Sequence, residues 1–422
     1  MASFADLVAK RIQQRQQEFV AAFSPDPHST HERALATGIQ DAWHPLLRDP
    51  IESRSGSALD MSAAAVDGSR ATRAMNSGAD WVIAQAHLVG QDGLRLSAAD
   101  TILVRGEVER PAVDRCASLL MRSLELELAL KFAQSGAGRL LLLDGSLYAD
   151  LPHLLYNLAI PGLGDLPLVV LRQYLDLFTY CQKHDILLLG LAKSTRSTVL
   201  ARAILDQHAL VDGSLPDAAD VVDVSAAANA AQETASADAL VAMSASAELP
   251  TDGEILHRWA KGVGYSTPIL LGTVSFGHRR ASVLDQPTAV ADQFTDGQLS
   301  RTERRDVVRR LRQTPAIGSF YIRLAAGDDA LRVDALASTF GRDDCSLLDF
   351  AYQMVPHETA MPVARLLQRD YGGASVYNAA LFVVDREVRL SAQTVDHVYL
   401  SILRRELDAH VQYDRSTRRF SS

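Results

Sequence analysis

The stretch "RLLLLDGSLYADLP", residues 139–152, decides how the rest of this chain is read. Four leucines run without polar interruption into Asp144-Gly145-Ser146. An unbroken apolar run of this length, with no alternation, predicts a strand buried on both faces, as in a parallel sheet. A glycine straight after the strand permits a sharp exit turn, so the strand end presents Asp144 in a fixed position. Ser146 reads as part of the turn. The same tripeptide recurs at Asp67-Gly68-Ser69 and at Asp212-Gly213-Ser214. Asp-Gly-Ser alone is ordinary turn chemistry. The copy at 212 follows a helix end and precedes a proline, and it reads as a plain turn. The copies at 67 and 144 both follow apolar runs, where α/β sheets tend to place functional groups.

Working outward, "RPAVDRCASLLMRSLELELALKFAQSG" (110–136) predicts a long helix stopped at Gly136. "LPLVVLRQYLDLFTYCQKH" (166–184) predicts a second helix and "DILLLGLAKS" (185–194) another buried strand. Before them, 62–90 reads as a strand, a turn at Asp67-Gly68 and a second strand near 80–89, with a further strand at 101–106. Later segments predict a strand over 266–276, a basic helix over 298–313 and a two-strand hairpin over 317–337. The chain then reads as a helix at "MPVARLLQRD" and an apolar segment, turn and helix over 378–407. Buried strands alternating with helices define an α/β layer.

The flanks differ in texture. Residues 1–60 predict a helical N-terminal extension. Its stripe Phe4, Leu7, Val8, Ile12, Phe19 and Phe23 is suited to a partner contact but better explained as an ordinary core helix. Residues 209–252 are rich in Ala, Ser and Asp, and from 217 onward carry no Lys or Arg. They read as an acidic insertion, partly disordered or weakly helical.

Composition narrows the function classes. The 422 residues are 47% hydrophobic and 22% charged, which is the balance of a soluble globular protein. A net charge of −9 excludes a uniformly basic nucleic-acid binder but not a local basic patch. The three cysteines, Cys116, Cys181 and Cys345, form no CxxC pair, so a reduced, cytoplasmic protein is expected. The N-terminus lacks the apolar core of a secretory signal, and no membrane span is expected. His28 and His31 sit in a proline-broken segment and read as surface residues. Arg301, Arg304, Arg305, Arg309, Arg310 and Arg312 give the basic helix two readings of similar weight, phosphate contact or a solvated face.

The helix before the second Asp-Gly-Ser carries Glu125 and Glu127. Lys131, four residues after Glu127, can pair with it at the surface. Glu127 also lies beside the stripe Leu120, Leu124, Leu128 and Phe132, and a carboxylate at that edge can point toward the strand ends. Two aspartates and a glutamate are the hard oxygen donors that Mg2+ or Mn2+ takes.

In serial order these residues resemble the NurA nuclease domain family. "AVDGS" at 65–69, "MRSLELELAL" at 121–130 and "LLLDGSL" at 141–147 follow its pattern of strand Asp, helical Glu and strand Asp. "LAKS" matches a strand-end lysine at Lys193, and "ALRVDA" a late strand pair. "SVYNAALFVVD" supplies Tyr377 and, eight residues on, Asp385. The resemblance covers about 60–205 and 265–405. It implies an RNase H-like mixed sheet flanked by helices, in a nuclease domain over 61–422. It further implies metal ligation by Asp67, Asp144, Asp385 and Glu125 or Glu127, with Lys193 meeting phosphate charge and Tyr377 stacking on a base or positioning water. Mn2+ or Mg2+ would serve 5′–3′ exonuclease and single-strand endonuclease activity on DNA. A homodimer working with a HerA-like hexameric ATPase, in DNA end processing or phage defence, completes what the family implies. The chain departs from the family pattern in "SVYNAAL", where Gly usually precedes and Pro follows the tyrosine, and in Asp385 for a more usual His. The competing reading is a non-catalytic DNA- or partner-binding module on the same fold, which the retained acids argue against. A sugar-kinase relative ranks lower, because no glycine-rich phosphate loop is present.

Overall fold

The leucine run 140–143 carries the sequence's strongest structural instruction, and it forms the central strand of a large mixed sheet. A computed structural model describes residues 3–23, 30–47, 63–90, 93–193, 196–211, 249–274, 276, 286–294, 296–407 and 411–414. Asp212, His28, the His31 side chain and residues 212–248 of the acidic segment lie outside the described residues. The chain divides into two compact units, Met1–Trp43 with Arg196–Lys261, and His44–Thr195 with Gly262–Ser422.

The smaller unit is helical: α1 (Phe4–Gln14), α2 (Gln16–Phe23), α3 (Thr30–Ala42), and, from the second segment, α6 (Val199–Val211) and α7 (Asp252–Trp259). α3 packs on α6 and α7. Leu35 and Ile39 are buried there with Ile204, Ile255 and Leu256. Gly38 faces Ile204 so closely that a Cβ would collide with its Cγ2. Arg258 ties α7 to α3 through Glu32 at 3.3 Å. α1 opens with a capping box between Ser3 and Asp6. The core-helix expectation for the N-terminal apolar stripe is not met: Phe4, Leu7, Val8 and Ile12 of α1 and Phe19 of α2 are all exposed, Phe4 by 88%.

The larger unit holds the sheet. β2 (Ala63–Ala74), β3 (Asp80–Gly90) and β4 (Arg95–Val104) form an antiparallel meander. β5 (Leu140–Asp144) runs parallel to β2, pairing Ala63 with Leu140 through Val66 with Leu143. β6 (Leu187–Ala192) runs parallel to β5. The hairpin β9 (Ile317–Arg323) and β10 (Leu331–Leu336) joins antiparallel to β6. The order β4-β3-β2-β5-β6 is the RNase H-like arrangement, extended here by β10 and β9. The expected strand over 266–276 is broken into β7 (Gly264–Ser266) and β8 (Ile269–Leu271), which pair with successive parts of β9. β1 (Trp43–Pro45) edges β7, and β11 (Tyr352–Met354) pairs with β8.

Strand alternation sorts the two faces. Ala63, Ala65, Leu140, Leu142, Leu189 and Leu191 share one core cluster with Leu366 and Leu367 of α10 (Met361–Arg369) and with Leu381 and Val384 of α11 (Ala379–Val388). Leu141, Leu143 and Leu188 project to the other face. That face is covered by α4 (Arg110–Ser135) and α5 (Leu166–Lys183), which pack on each other. Pro111 opens α4, where its missing N–H costs nothing, and Gly136 closes it in the left-handed conformation (φ 69°).

One local expectation is corrected. There is no turn at Asp67-Gly68: β2 runs straight through both, paired residue by residue with β3, and the chain turns only after Ala74. The basic helix forms as α9 (Arg301–Arg310), following the short α8 (Pro287–Ala291). Arg301 and Arg305 pair with Asp292, Arg310 pairs with Asp176, and Arg304 donates to the Leu299 carbonyl. These intrachain bonds favour the solvated-face reading. No described helix is long and apolar enough to cross a membrane.

Candidate metal centre

Asp67 stands where the parallel pairing of β2 with β5 stops, one residue beyond Val66. Asp144 ends β5, opposite Leu191 of β6. Both continue the face of Ala63, Ala65, Leu140 and Leu142, the face that α11 covers. Asp385 lies in α11 next to the buried Val384. One carboxylate oxygen from each of Asp67, Asp144 and Asp385 falls within 4.8 Å of the others, and all three residues are half-buried.

Three carboxylates at this spacing repel one another. Burial first, then the charge of Asp144, raises the Asp67 carboxyl from 3.8 to about 6, against the Gly68 N–H bond at 2.7 Å. Lys193, at the end of β6, places Nζ 3.0 Å from Asp144 Oδ2 and 4.9 Å from the Tyr377 ring centroid. The Tyr377 hydroxyl donates to the same Asp144 oxygen at 3.5 Å. Burial, then Asp144, Asp67 and Asp385, pushes the Tyr377 hydroxyl well above its ordinary range, so it remains a protonated donor.

The two glutamates part company. Successive helix residues turn by roughly 100°, so positions 125 and 127 point to opposite sides of α4. Glu125 is 2% exposed, while the Glu127 side chain is 43% exposed and bonded to Lys131 Nζ at 2.6 Å. The structure therefore does not bring Glu127 to the carboxylate cluster. Glu125 instead reaches the far side of the strand that carries Asp67, where a Cβ on Gly68 would run into Glu125 Oε1 and Met121 Cγ; its carboxylate is not one of the three that cluster. Gly68 is thus a window through which the glutamate backs Asp67, and its conformational freedom is not used. Gly145 is the opposite case: at φ 107° it makes the sharp exit turn expected after Asp144.

Sequence reasoning missed Arg122, Asp150 and Tyr174. Arg122 Nη1 meets Glu125 Oε2 at 2.5 Å and the Asp144 carbonyl at 3.4 Å, and its Nε meets Asp150 at 3.4 Å. The Tyr174 hydroxyl donates to Asp150 at 3.4 Å. Burial raises the Glu125 carboxyl to about 7 even though Arg122 opposes it; Asp67, Asp150 and Asp144 add to the rise. The i, i+3 spacing of Arg122 and Glu125 was the available signal.

The donor set fits a hard divalent ion. It is all carboxylate oxygen, it gathers on one side of the sheet, and it carries a raised carboxyl whose repulsion a cation would relieve. No His or Cys joins this cluster among the described residues.

Fold and site together define a class: α/β proteins with an RNase H-like sheet and a carboxylate cluster at its central parallel strands. The chain belongs to the NurA domain family, whose model matches residues 61–390. Similar solved structures include the NurA nuclease from Sulfolobus solfataricus, at 16% identity, covering 97% of this chain and 99% of that one, with a TM-score of 0.54. A NurA bound to dAMP and manganese is 14% identical over 95% of this chain and 97% of that one, with a TM-score of 0.49. Endonuclease V of Ciona intestinalis, in complex with an inosine-containing 24mer DNA, is 8% identical over 90% of this chain and 97% of that one, at a TM-score of 0.27. A search of curated proteins returned no match.

Proposed function

We propose that this chain is a divalent-metal-dependent nuclease that hydrolyses DNA phosphodiester bonds, with Asp67, Asp144 and Asp385 holding Mn2+ or Mg2+. The observation that carries the reading is the convergence of those three carboxylates to within 4.8 Å in a NurA domain. When bound, such ions neutralise phosphoryl oxygens and supply an activated water. The residues do the rest. Lys193, half-exposed beside Asp144, meets phosphate charge. Tyr377 holds its proton and orients Asp144 or a water. Glu125 adds negative charge behind Asp67, and Arg122 keeps it in place. Family membership supports the finer points: 5′–3′ exonuclease and single-strand endonuclease action, a homodimer in the cytoplasm, and service with a HerA-like ATPase in DNA end processing or phage defence.

The test is incubation with 5′-labelled single- and double-stranded DNA plus Mn2+, Mg2+ or EDTA. Ion-dependent degradation is expected. If no ion yields products, alone or with a HerA-type ATPase, the reading fails.

Two further outcomes follow from the site. Glu127→Gln removes an exposed i, i+4 pair, so folding stability should change by less than about 0.5 kcal/mol in a urea melt and DNA hydrolysis should be unchanged; Glu125→Gln should slow hydrolysis. The second concerns pH. Asp67 and Glu125 have folded-state carboxyls raised to about 6 and about 7, so the ion-free fold binds more protons than the unfolded chain. Their contribution to stability is present below about pH 4 and lost as pH rises through 6 to 7. A bound ion competes with those protons. The rise in melting temperature produced by Mn2+ is therefore expected to be larger at pH 7.5 than at pH 5, as thermal melts with Mn2+ and with EDTA would show.

A further inference from the structure

The turn that carries Asp144 is held from two strands away. In the order β5-β6-β10, Gly190 of β6 lies beside Leu143 on one side and Asp334 on the other. A Cβ at Gly190 would stand 2.7 Å from the Gly145 carbonyl oxygen and 2.8 Å from Leu147 Cγ, so the bare glycine lets the exit turn lie across β6. Gly145 N–H donates to the Leu191 carbonyl at 2.7 Å as the chain crosses. Beyond the crossing, the Ser146 hydroxyl donates to Asp334 Oδ2, and Leu147 N–H donates to the same oxygen at 3.0 Å. Asp334 is wholly buried, and its charge is met by Arg332, whose Nε donates to Oδ1 at 2.8 Å. Ser146 Oγ also accepts the N–H groups of Tyr148 and Ala149, at 3.1 and 2.9 Å.

We infer that Ser146 and Asp334 are positioning residues for the candidate metal centre, fixing the turn and hence the direction in which Asp144 offers its carboxylate. The inference rests on the metal-dependent reading above. An Asp-Gly turn needs the glycine, but it does not need a hydroxyl at the next position. Here the hydroxyl is donor and acceptor at once: it bridges the turn to a buried carboxylate and caps the segment that follows. Groups one step removed from metal ligands typically alter metal affinity by about 10- to 100-fold.

The test is Mn2+ binding by the full chain, followed by the EPR signal of free Mn2+, for wild type, Asp144→Ala, Ser146→Ala, Ser146→Thr and Asp334→Asn. DNA affinity in EDTA and melting temperature are measured alongside. Ser146→Ala is expected to weaken Mn2+ by about 10- to 100-fold with DNA affinity in EDTA unchanged, and Ser146→Thr to restore most of it. Asp334→Asn turns an acceptor toward Arg332 into a donor and should be at least as severe; Ser146→Ala decides the matter if that variant does not fold. Wild-type Mn2+ affinity in Ser146→Ala, with Asp144→Ala deficient, overturns this inference and leaves the nuclease reading standing. A parallel fall in Mn2+ affinity, DNA affinity and melting temperature also overturns it, in favour of a general structural role. Equal Mn2+ binding by wild type and Asp144→Ala removes the metal reading and this inference with it.

Discussion

Asp144→Ala is expected to lower Mn2+-dependent DNA hydrolysis by about 1,000-fold or more, while the variant still folds. A catalytic metal supplies several kcal/mol of charge stabilisation, and each 1.4 kcal/mol is tenfold in rate. Asp144 is the hub of the site: it shares the 4.8 Å cluster, accepts from Lys193 and Tyr377, and ends the central strand. Folding survives because removing this carboxylate relieves its repulsion of Asp67, whose carboxyl should then fall below about 6 while burial still holds it above its ordinary value. Single-turnover assays on labelled DNA, paired with a thermal melt, measure both halves. Near-wild-type hydrolysis by this variant would remove Asp144 from the chemistry.

Arg122→Ala is expected to destabilise the fold by about 3 kcal/mol at pH 8, because it strands a buried carboxylate. Glu125 is 2% exposed and depends on Arg122 at 2.5 Å for its charged form. Without the guanidinium the Glu125 carboxyl rises further above about 7. The deficit should therefore shrink as pH falls from 8 to 5, where the glutamate enters the fold as a neutral acid. Urea melts at the two pH values provide the measurement, and a deficit that is constant or grows on acidification would contradict the argument. Arg122→Ala combined with Glu125→Gln should recover much of the loss, since the stranded charge is then gone.

Cα alternation and helical period are local properties, and they were legible. The run Leu140–Leu143 could only be buried on both faces, and it is the middle of the sheet. The helix 110–136 and its glycine stop were readable from period and cap. The order of Asp67, the glutamate helix and Asp144 carried the family resemblance, and that resemblance implied an RNase H-like sheet. The role of a glycine was not readable. At 145 it makes the turn, and at 68 it makes room for Glu125 inside an unbroken strand, although both sit in the same tripeptide. Strand pairing decides between those uses, and pairing partners are distant in sequence.

The N-terminal stripe shows the same limit. Its period gives an amphipathic helix, but not what covers it, and in the structure Phe4, Leu7 and Ile12 face outward. The sequence by itself determined the α/β layering, the buried central strand and the set of acids from which a hard-metal site can be built, because burial and periodicity are written in neighbouring residues. Tertiary structure alone decided that Glu125 and not Glu127 backs the strand of Asp67, how closely Asp385 on its helix approaches Asp67 and Asp144, and that Ser146 answers to Asp334 across β6. Each of these depends on which surfaces the sheet and helices bring within a few ångströms, and that is fixed by the packing of the whole unit.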